Sequence, residues 1–240
     1  MNFLITAGPT REYIDPVRFI SNASSGRMGY ALAEAAIKAG HKVTLITTVE
    51  KSIRLRQSFF ANATKDRGCA ETLREVKSQK SKLQIVQVET AAEMFEAVKK
   101  HFSKCDCLIM AAAVADYAPS KKSKVKIKKS NRNLTIKLKP TVDILKWAGK
   151  HKKVKSKKVK GKKNGSKMVV GFALEDKNLR RNARKKLKEK NLDMIIANAP
   201  ASIGADKTSV QIKMSGRKWQ KILRTDKTTI AKKIVNLLTR

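Results

Sequence analysis

The sequence predicts an α/β fold: a doubly wound, mostly parallel Rossmann-like sheet with an extra antiparallel β-hairpin and a lysine-rich insertion. Three observations lead there. Short runs dominated by aliphatic residues alternate with longer stretches of helical composition. The runs carry little polar alternation, which suits strands covered on both faces. The chain has 240 residues, enough for one α/β domain with a core that needs no disulfide or metal staple.

The elements follow in order. Asn2–Thr6 (NFLIT) reads as a buried strand. Arg27–Ala39 has helical composition and stops at Gly40, a residue suited to a helix C-terminus. Lys42–Thr47 (KVTLIT) and Leu83–Val88 are the next strands, and Ala91–Phe102 the next helix. Cys107–Ala112 (CLIMAA), Met168–Phe172 (MVVGF) and Met194–Ala197 (MIIA) are further strands, with a basic helix over Leu179–Lys190 between the last two. Val125–Lys129 and Leu134–Leu138 alternate lysine with aliphatic residues around Ser130–Asn133, which predicts a hairpin outside the main sheet. A second hairpin is expected from Ser209–Met214 and Lys218–Leu223, and Thr229–Leu238 is a closing amphipathic helix. The whole of 1–240 reads as a single domain. Residues 52–82 form a decorated crossover, with a helix near Cys69–Ser78, and residues 150–167 a mobile lysine-rich insertion.

Composition narrows the function classes. Lys+Arg is 55 against 19 Asp+Glu, a formal net charge of +36. Such an excess attracts anions: nucleotide phosphates, nucleic acid or an acidic surface. No run of about 18 apolar residues exists, so no membrane-spanning helix is expected. Three cysteines at these spacings are neither a disulfide framework nor a zinc motif, and the three histidines are scattered. A cytoplasmic protein is expected, with no signal peptide and no metal ligands that the sequence identifies.

Two segments carry the chemistry. AGPTRE (Ala7–Glu12) follows the first strand, and SNASSGRMG (Ser21–Gly29) opens the first helix. Ligands of doubly wound sheets sit at the carboxyl ends of strands, where small residues and hydroxyls at a helix start offer N–H groups to an anion. Arg18 and Arg27 add charge, while a GxGxxG fingerprint is absent. MAAAVADYAP (Met110–Pro119) ends another strand with small residues and Asp116, an acid in basic surroundings suited to a metal ion or a ribose hydroxyl. Lys126 on the hairpin and Lys186 with Lys190, four apart on one helical face, are the candidate cations.

Seven segments in order, AGPTREYIDPVRFISNASSGRMGYALAEAA, VETAAEMFEAV, AAAVADYAP, KIKK, PTVDIL, VVGFALE and KLKEKNLDMIIAN, resemble the phosphopantothenate–cysteine ligases. The resemblance spans nearly the whole chain apart from Ser52–Lys82 and Lys150–Lys167. It is to a stand-alone form without the flavin-dependent decarboxylase domain, hence without flavin. It implies a step of coenzyme A biosynthesis in which a nucleoside triphosphate with Mg²⁺, CTP in most bacterial members and ATP as the alternative, activates the carboxylate of 4′-phosphopantothenate, as an acyl-CMP where CTP is used. L-cysteine then displaces CMP. It implies Asn22 and Arg18 at the acyl-phosphate, and Gly8, Ser24, Ser25 and Gly26 around phosphates. It further implies a nucleotide site of Asp116, Lys126, Phe172, Lys186 and Lys190 above a floor of Ala111 and Ala112, and a homodimer. The chain departs from the family pattern at Val142, where proline is usual, and at Asp176, where threonine is expected.

Two other readings compete. A basic nucleic-acid-binding protein would explain the charge, but aromatic residues are only 5% and form no stacking platform. Weak polyanion contact through the lysine-rich insertion is compatible with either reading. A nicotinamide-dependent reductase lacks its glycine fingerprint and has only Glu50 after the second strand.

Overall fold

The computed structural model describes residues 1–49, 82–153 and 166–239. The central strand, β1 (Asn2–Ala7), shows how the layers arise. Its side chains alternate: Phe3, Ile5 and Ala7 enter one apolar cluster, and Leu4 the other. A strand whose two faces both meet helices has no solvent side, so β1 is buried from Phe3 to Ala7, and its one polar residue there, Thr6, accepts inside the fold from Ala112 N.

Twelve strands are present among the described residues. β2 (Arg11–Tyr13) and β3 (Phe19–Ser21) form a small antiparallel pair. β4 (Lys42–Thr47), β5 (Leu83–Gln87), β6 (Cys107–Met110), β9 (Met168–Leu174) and β10 (Met194–Asn198) join β1 in parallel. β11 (Lys207–Met214) and β12 (Gln220–Asp226) extend the sheet antiparallel, giving the order β12-β11-β10-β9-β6-β1-β4-β5. The chain winds outward from β1 through β4 to β5, then returns to place β6 on the other side of β1. The crevice between the ends of β1 and β6 is therefore the switch point of the fold.

Five α-helices among the described residues cover the sheet. α1 (Arg27–Lys38) and α5 (Lys227–Thr239) pack together on one face. α5 buries Ile230, Ala231, Ile234, Val235 and Leu238, one stripe at helical spacing. α2 (Ala91–Phe102), α3 (Ile144–His151) and α4 (Leu179–Glu189) cover the other face. At the start of α2, Thr90 Oγ1 accepts from Glu93 N at 3.2 Å. Buried Glu12, from the first sequence motif, adds a second cap: its Oε1 accepts from Ala91 N at 2.8 Å. No helix among the described residues is long and apolar enough to cross a membrane.

Two expectations need correction. An antiparallel pair does lie outside the main sheet, but its strands are β7 (Tyr117–Pro119) and β8 (Leu138–Pro140). Val125–Lys129 and Leu134–Lys137 form no ladder, and of the two expected strands only Leu138 enters one, as the first residue of β8. Their alternating pattern has no apolar face to rest on: Val125 is 71% and Leu134 58% exposed. A two-stranded ribbon with nothing beneath it is marginal in water. The two ends of the insertion expected at 150–167 also need correction. Lys150 and His151 close α3, and Lys152 is buried, with its Nζ 2.9 Å from Asp193 Oδ1. Lys167 Nζ donates to the carbonyls of Ser103 (2.9 Å) and Cys105 (2.7 Å). Ammonium groups with fixed acceptors belong to the folded body; residues 154–165 lie outside the described residues. So do the helix near Cys69–Ser78 and the crossover over 52–81.

Candidate functional site

The carboxyl ends of β6, β9 and β10 open onto a cleft of about 600 Å³ beside the start of α1. The loop before α1 contributes Asn22, Ser24, Ser25 and Gly26, and the strand end after β6 contributes Ala111, Ala112 and Asp116. Phe172 comes from β9, and Lys186 and Lys190 from the end of α4. Ten of the thirteen residues expected from the sequence thus line one cavity, drawn from four separate stretches of chain.

The loop conformation follows from its glycines. Gly26 caps α1 in the left-handed region (φ 72°) with no side-chain cap. A Cβ there would stand 3.1 Å from Gly8 Cα and N. Gly8, at φ 87°, is the floor on which Gly26 rests and does not line the cleft. Asn22 Nδ2 donates to Val114 O at 3.0 Å and to Ala113 O at 3.4 Å. The loop is thereby stitched to the segment after β6, across the switch point. Its amide hydrogens are engaged while its carbonyl oxygen is left over.

The cations are arranged by partners in neighbouring elements. Lys186 and Lys190 lie together beside the stripe of Ala183 and Leu187, whose burial turns α4 toward the sheet. Lys186 Nζ donates to the Phe172 carbonyl at 2.9 Å. Burial lowers the Lys186 pKa, and the Lys190 charge lowers it further; Glu175, Asp143 and Asp116 oppose this. Lys190 Nζ is 2.7 Å from Asp143 Oδ2. Asp143 also caps α3, accepting from Lys146 N at 2.9 Å. Burial would raise the Asp143 carboxyl, but the hydrogen bonds from Lys190 and Lys146 prevail and lower it. Asp116 makes no ion pair among the described residues.

Arg18 and Lys126 stand outside the cleft lining. Arg18 and Ile127, the neighbour of Lys126, belong to a clasp around Asp15, which is fully buried. Its Oδ1 accepts from Val17 N and Arg18 N, each at 2.8 Å. Its Oδ2 accepts from Arg18 Nε at 2.9 Å and from Ile127 N at 3.2 Å. Arg18 Nη2 also donates to Ile127 O, so the arm bearing Lys126 is fastened to the 15–18 turn. Lys126 itself is exposed. Burial would raise the Asp15 carboxyl, but hydrogen bonds from Val17, Arg18 and Ile127 outweigh it and hold it well below the usual range. A depressed carboxyl contributes stability above its unfolded pKa and loses it as pH falls toward the folded value. Asp15→Asn is therefore expected to lower the melting temperature at neutral pH. It should also flatten the loss of stability of the wild type below about pH 4. Parallel melting-temperature profiles between about pH 2 and 7 would show that the clasp holds no such charge.

The sequence reading did not single out Asp143, Asn198 or Lys227, and it took Arg27 only as added charge; all four line the cleft. Asn198 had a usable signal, since it ends β10 at the carboxyl edge of the sheet. Lys227 had none, because it opens a helix remote in sequence. Among the described residues no group of three or more His, Cys, Asp or Glu side chains is placed to hold a metal.

Comparison with known proteins agrees with this architecture. The family model for the DNA/pantothenate metabolism flavoprotein C-terminal domain matches residues 1–64 and 58–240. The chain is 41% identical over 213 residues to the coenzyme A biosynthesis bifunctional protein CoaBC of Bacillus subtilis (strain 168), covering 87% of this chain and 44% of that protein. It is 35% identical over 237 residues to the CoaBC of Borreliella burgdorferi, covering 98% of this chain and 51% of that protein. The chain thus spans about half the length of the curated relatives it matches. The crystal structure of the C-terminal domain of a CoaBC superposes with a TM-score of 0.69 at 32% identity, covering 99% of this chain and 93% of that one. The chain belongs to the family of the DNA/pantothenate metabolism flavoprotein C-terminal domain.

Proposed function

We propose that the chain is a phosphopantothenate–cysteine ligase acting in coenzyme A biosynthesis, with CTP as the activating nucleotide. One observation carries this reading: ten of the thirteen residues that the resemblance assigns, Asn22, Asp116, Lys186 and Lys190 among them, meet in one cleft at the switch point of the sheet, with Gly8, Arg18 and Lys126 outside its lining. The bifunctional relatives, named for coenzyme A biosynthesis, support it.

The chemistry follows from that cleft. A carboxylate oxygen of 4′-phosphopantothenate attacks the α-phosphorus of CTP. The bond to the β-phosphate oxygen breaks, and pyrophosphate leaves with the electron pair. The amine of L-cysteine then attacks the acyl carbonyl, loses a proton and expels CMP. The first step brings two anions together, so fixed cations are what the protein must supply. Lys186 and Lys190 fill that role beside the ribose and phosphates, with Asp143 orienting Lys190. Phe172 and the small Ala111 and Ala112 bound the space for the flat base. The Ser24–Gly26 loop lines the cleft at the start of α1, where a helix N-terminus favours a phosphate. Magnesium bound with the triphosphate would neutralise its charge. One or two carboxylates plus substrate phosphates usually suffice for it, and Asp116 is the cleft carboxylate open to that role.

The reading includes a homodimer in the cytoplasm. The exposed arm, with Lys126 outside its own cleft and Val125, Leu134 and Leu138 exposed, is the surface on which a second copy would act. The buried free thiols Cys105 and Cys107 suit a reducing compartment.

The test is product identification across CTP, ATP, GTP and UTP with phosphopantothenate and cysteine. Pyrophosphate and CMP released together with an amide product, strictly dependent on both substrates, is the expected result. Nucleotide turnover independent of phosphopantothenate would overturn it.

A further inference from the structure

We propose that Lys227 and Arg27 form a phosphate subsite in the cleft, separate from the Lys186–Lys190 pair. The inference rests on reading the cleft as the nucleotide and phosphate site, and nothing in that reading assigns Lys227. Lys186 and Lys190 come from α4, in the helical layer that packs on one face of the sheet. Arg27 and Lys227 are the first residues of α1 and α5, which pack together on the opposite face. The cleft at the sheet edge therefore receives cations from both layers.

The charge balance on the second side is incomplete. Arg27 Nη2 lies 2.6 Å from Asp206 Oδ1, and its side chain is 51% exposed against 84% for Asp206. Such an exposed pair contributes little and exchanges easily. Asp226, adjacent to Lys227, is occupied at the start of α5: it accepts from Thr229 N at 2.9 Å and Thr229 Oγ1 at 2.7 Å. Lys227 is half-buried and has no ion-pair partner among the described residues. Burial and the neighbouring Arg27 lower its pKa, while Asp206 opposes them. A desolvated cation without a counter-ion costs stability, and a phosphate entering the cleft would supply the missing charge.

Two sources carry a suitable group: the terminal phosphates of the nucleoside triphosphate and the phosphomonoester of the acid substrate. Calorimetric titration of the whole chain with Mg–CTP, CMP, inorganic pyrophosphate and 4′-phosphopantothenate separates them. Lys227→Gln should weaken at least one of these about tenfold, the loss of one charge-assisted contact. Losses for CTP and pyrophosphate with CMP unchanged would assign the terminal phosphates. A loss confined to phosphopantothenate would assign the phosphomonoester. Arg27→Gln should weaken the same ligand, which keeps the test open if Lys227→Gln does not fold. Lys227→Arg should stay within about threefold of wild type, because the charge is kept. Affinities within about twofold for all four ligands, or equal losses for all four, would overturn the subsite. Binding needs no turnover, so a wild type that makes no amide would sink the ligase reading and leave this result standing.

Discussion

Replacing Asn22 by aspartate is expected to separate the two halves of the proposed reaction, with acyl-nucleotide accumulating while amide formation falls about 10²–10³-fold, the usual cost of one oxyanion donor. A carboxylate at this position would repel the oxyanion that forms when the amine attacks. The structure adds a condition. Asn22 Nδ2 is bonded to Val114 O and Ala113 O, so it donates to an oxyanion only after leaving those carbonyls. Aspartate offers these carbonyls no hydrogen and would loosen the loop as well. Rapid-quench measurement of acyl-CMP and of product distinguishes the two effects. An intact first step with a lost second step assigns Asn22 to the amide-forming transition state. Equal loss of both steps would make it a loop anchor, and an unchanged product rate would remove it from the chemistry.

Removing the Lys186 charge is expected to split function from stability. Lys186→Met keeps most of the side-chain volume and deletes a cation that burial and Lys190 already disfavour. The folded chain loses one hydrogen bond to the Phe172 carbonyl. It also loses the repulsion and the desolvation cost of the charge. These terms oppose one another, so the melting temperature should be equal to wild type or higher. Nucleotide affinity should fall about ten- to a hundredfold, because a hydrogen bond to a charged group contributes about 1.5–3 kcal/mol. Calorimetric affinity together with a thermal melt checks both halves. A marked fall in melting temperature with affinity unchanged would make Lys186 a structural residue that ties α4 to β9.

The sequence alone determined the strands of the main sheet and most of the helices between them, because both rest on local information, whereas the short pairs β2–β3 and β7–β8 carried no such signal. The short apolar runs of β1, β6 and β10, which lack polar alternation, leave a parallel sheet covered on both faces as the economical arrangement. The helical stripe of α5 was legible for the same reason. The resemblance carried the candidate site, and most of its residues do meet. What a local pattern could not reach was the geometry between elements. Lys186 and Lys190 share a helical face by spacing, yet only the burial of Ala183 and Leu187 against the sheet decides that this face meets the cleft. The alternation at 125–138 suggested a hairpin, but strand pairing needs a surface beneath it, and the arm is instead fastened through Asp15 and Arg18. Arg27 and Lys227 are two hundred positions apart in the chain. Their helices are brought together by long-range packing of α1 on α5, an interaction of apolar side chains that carries no mark in the charged residues it delivers to the cleft.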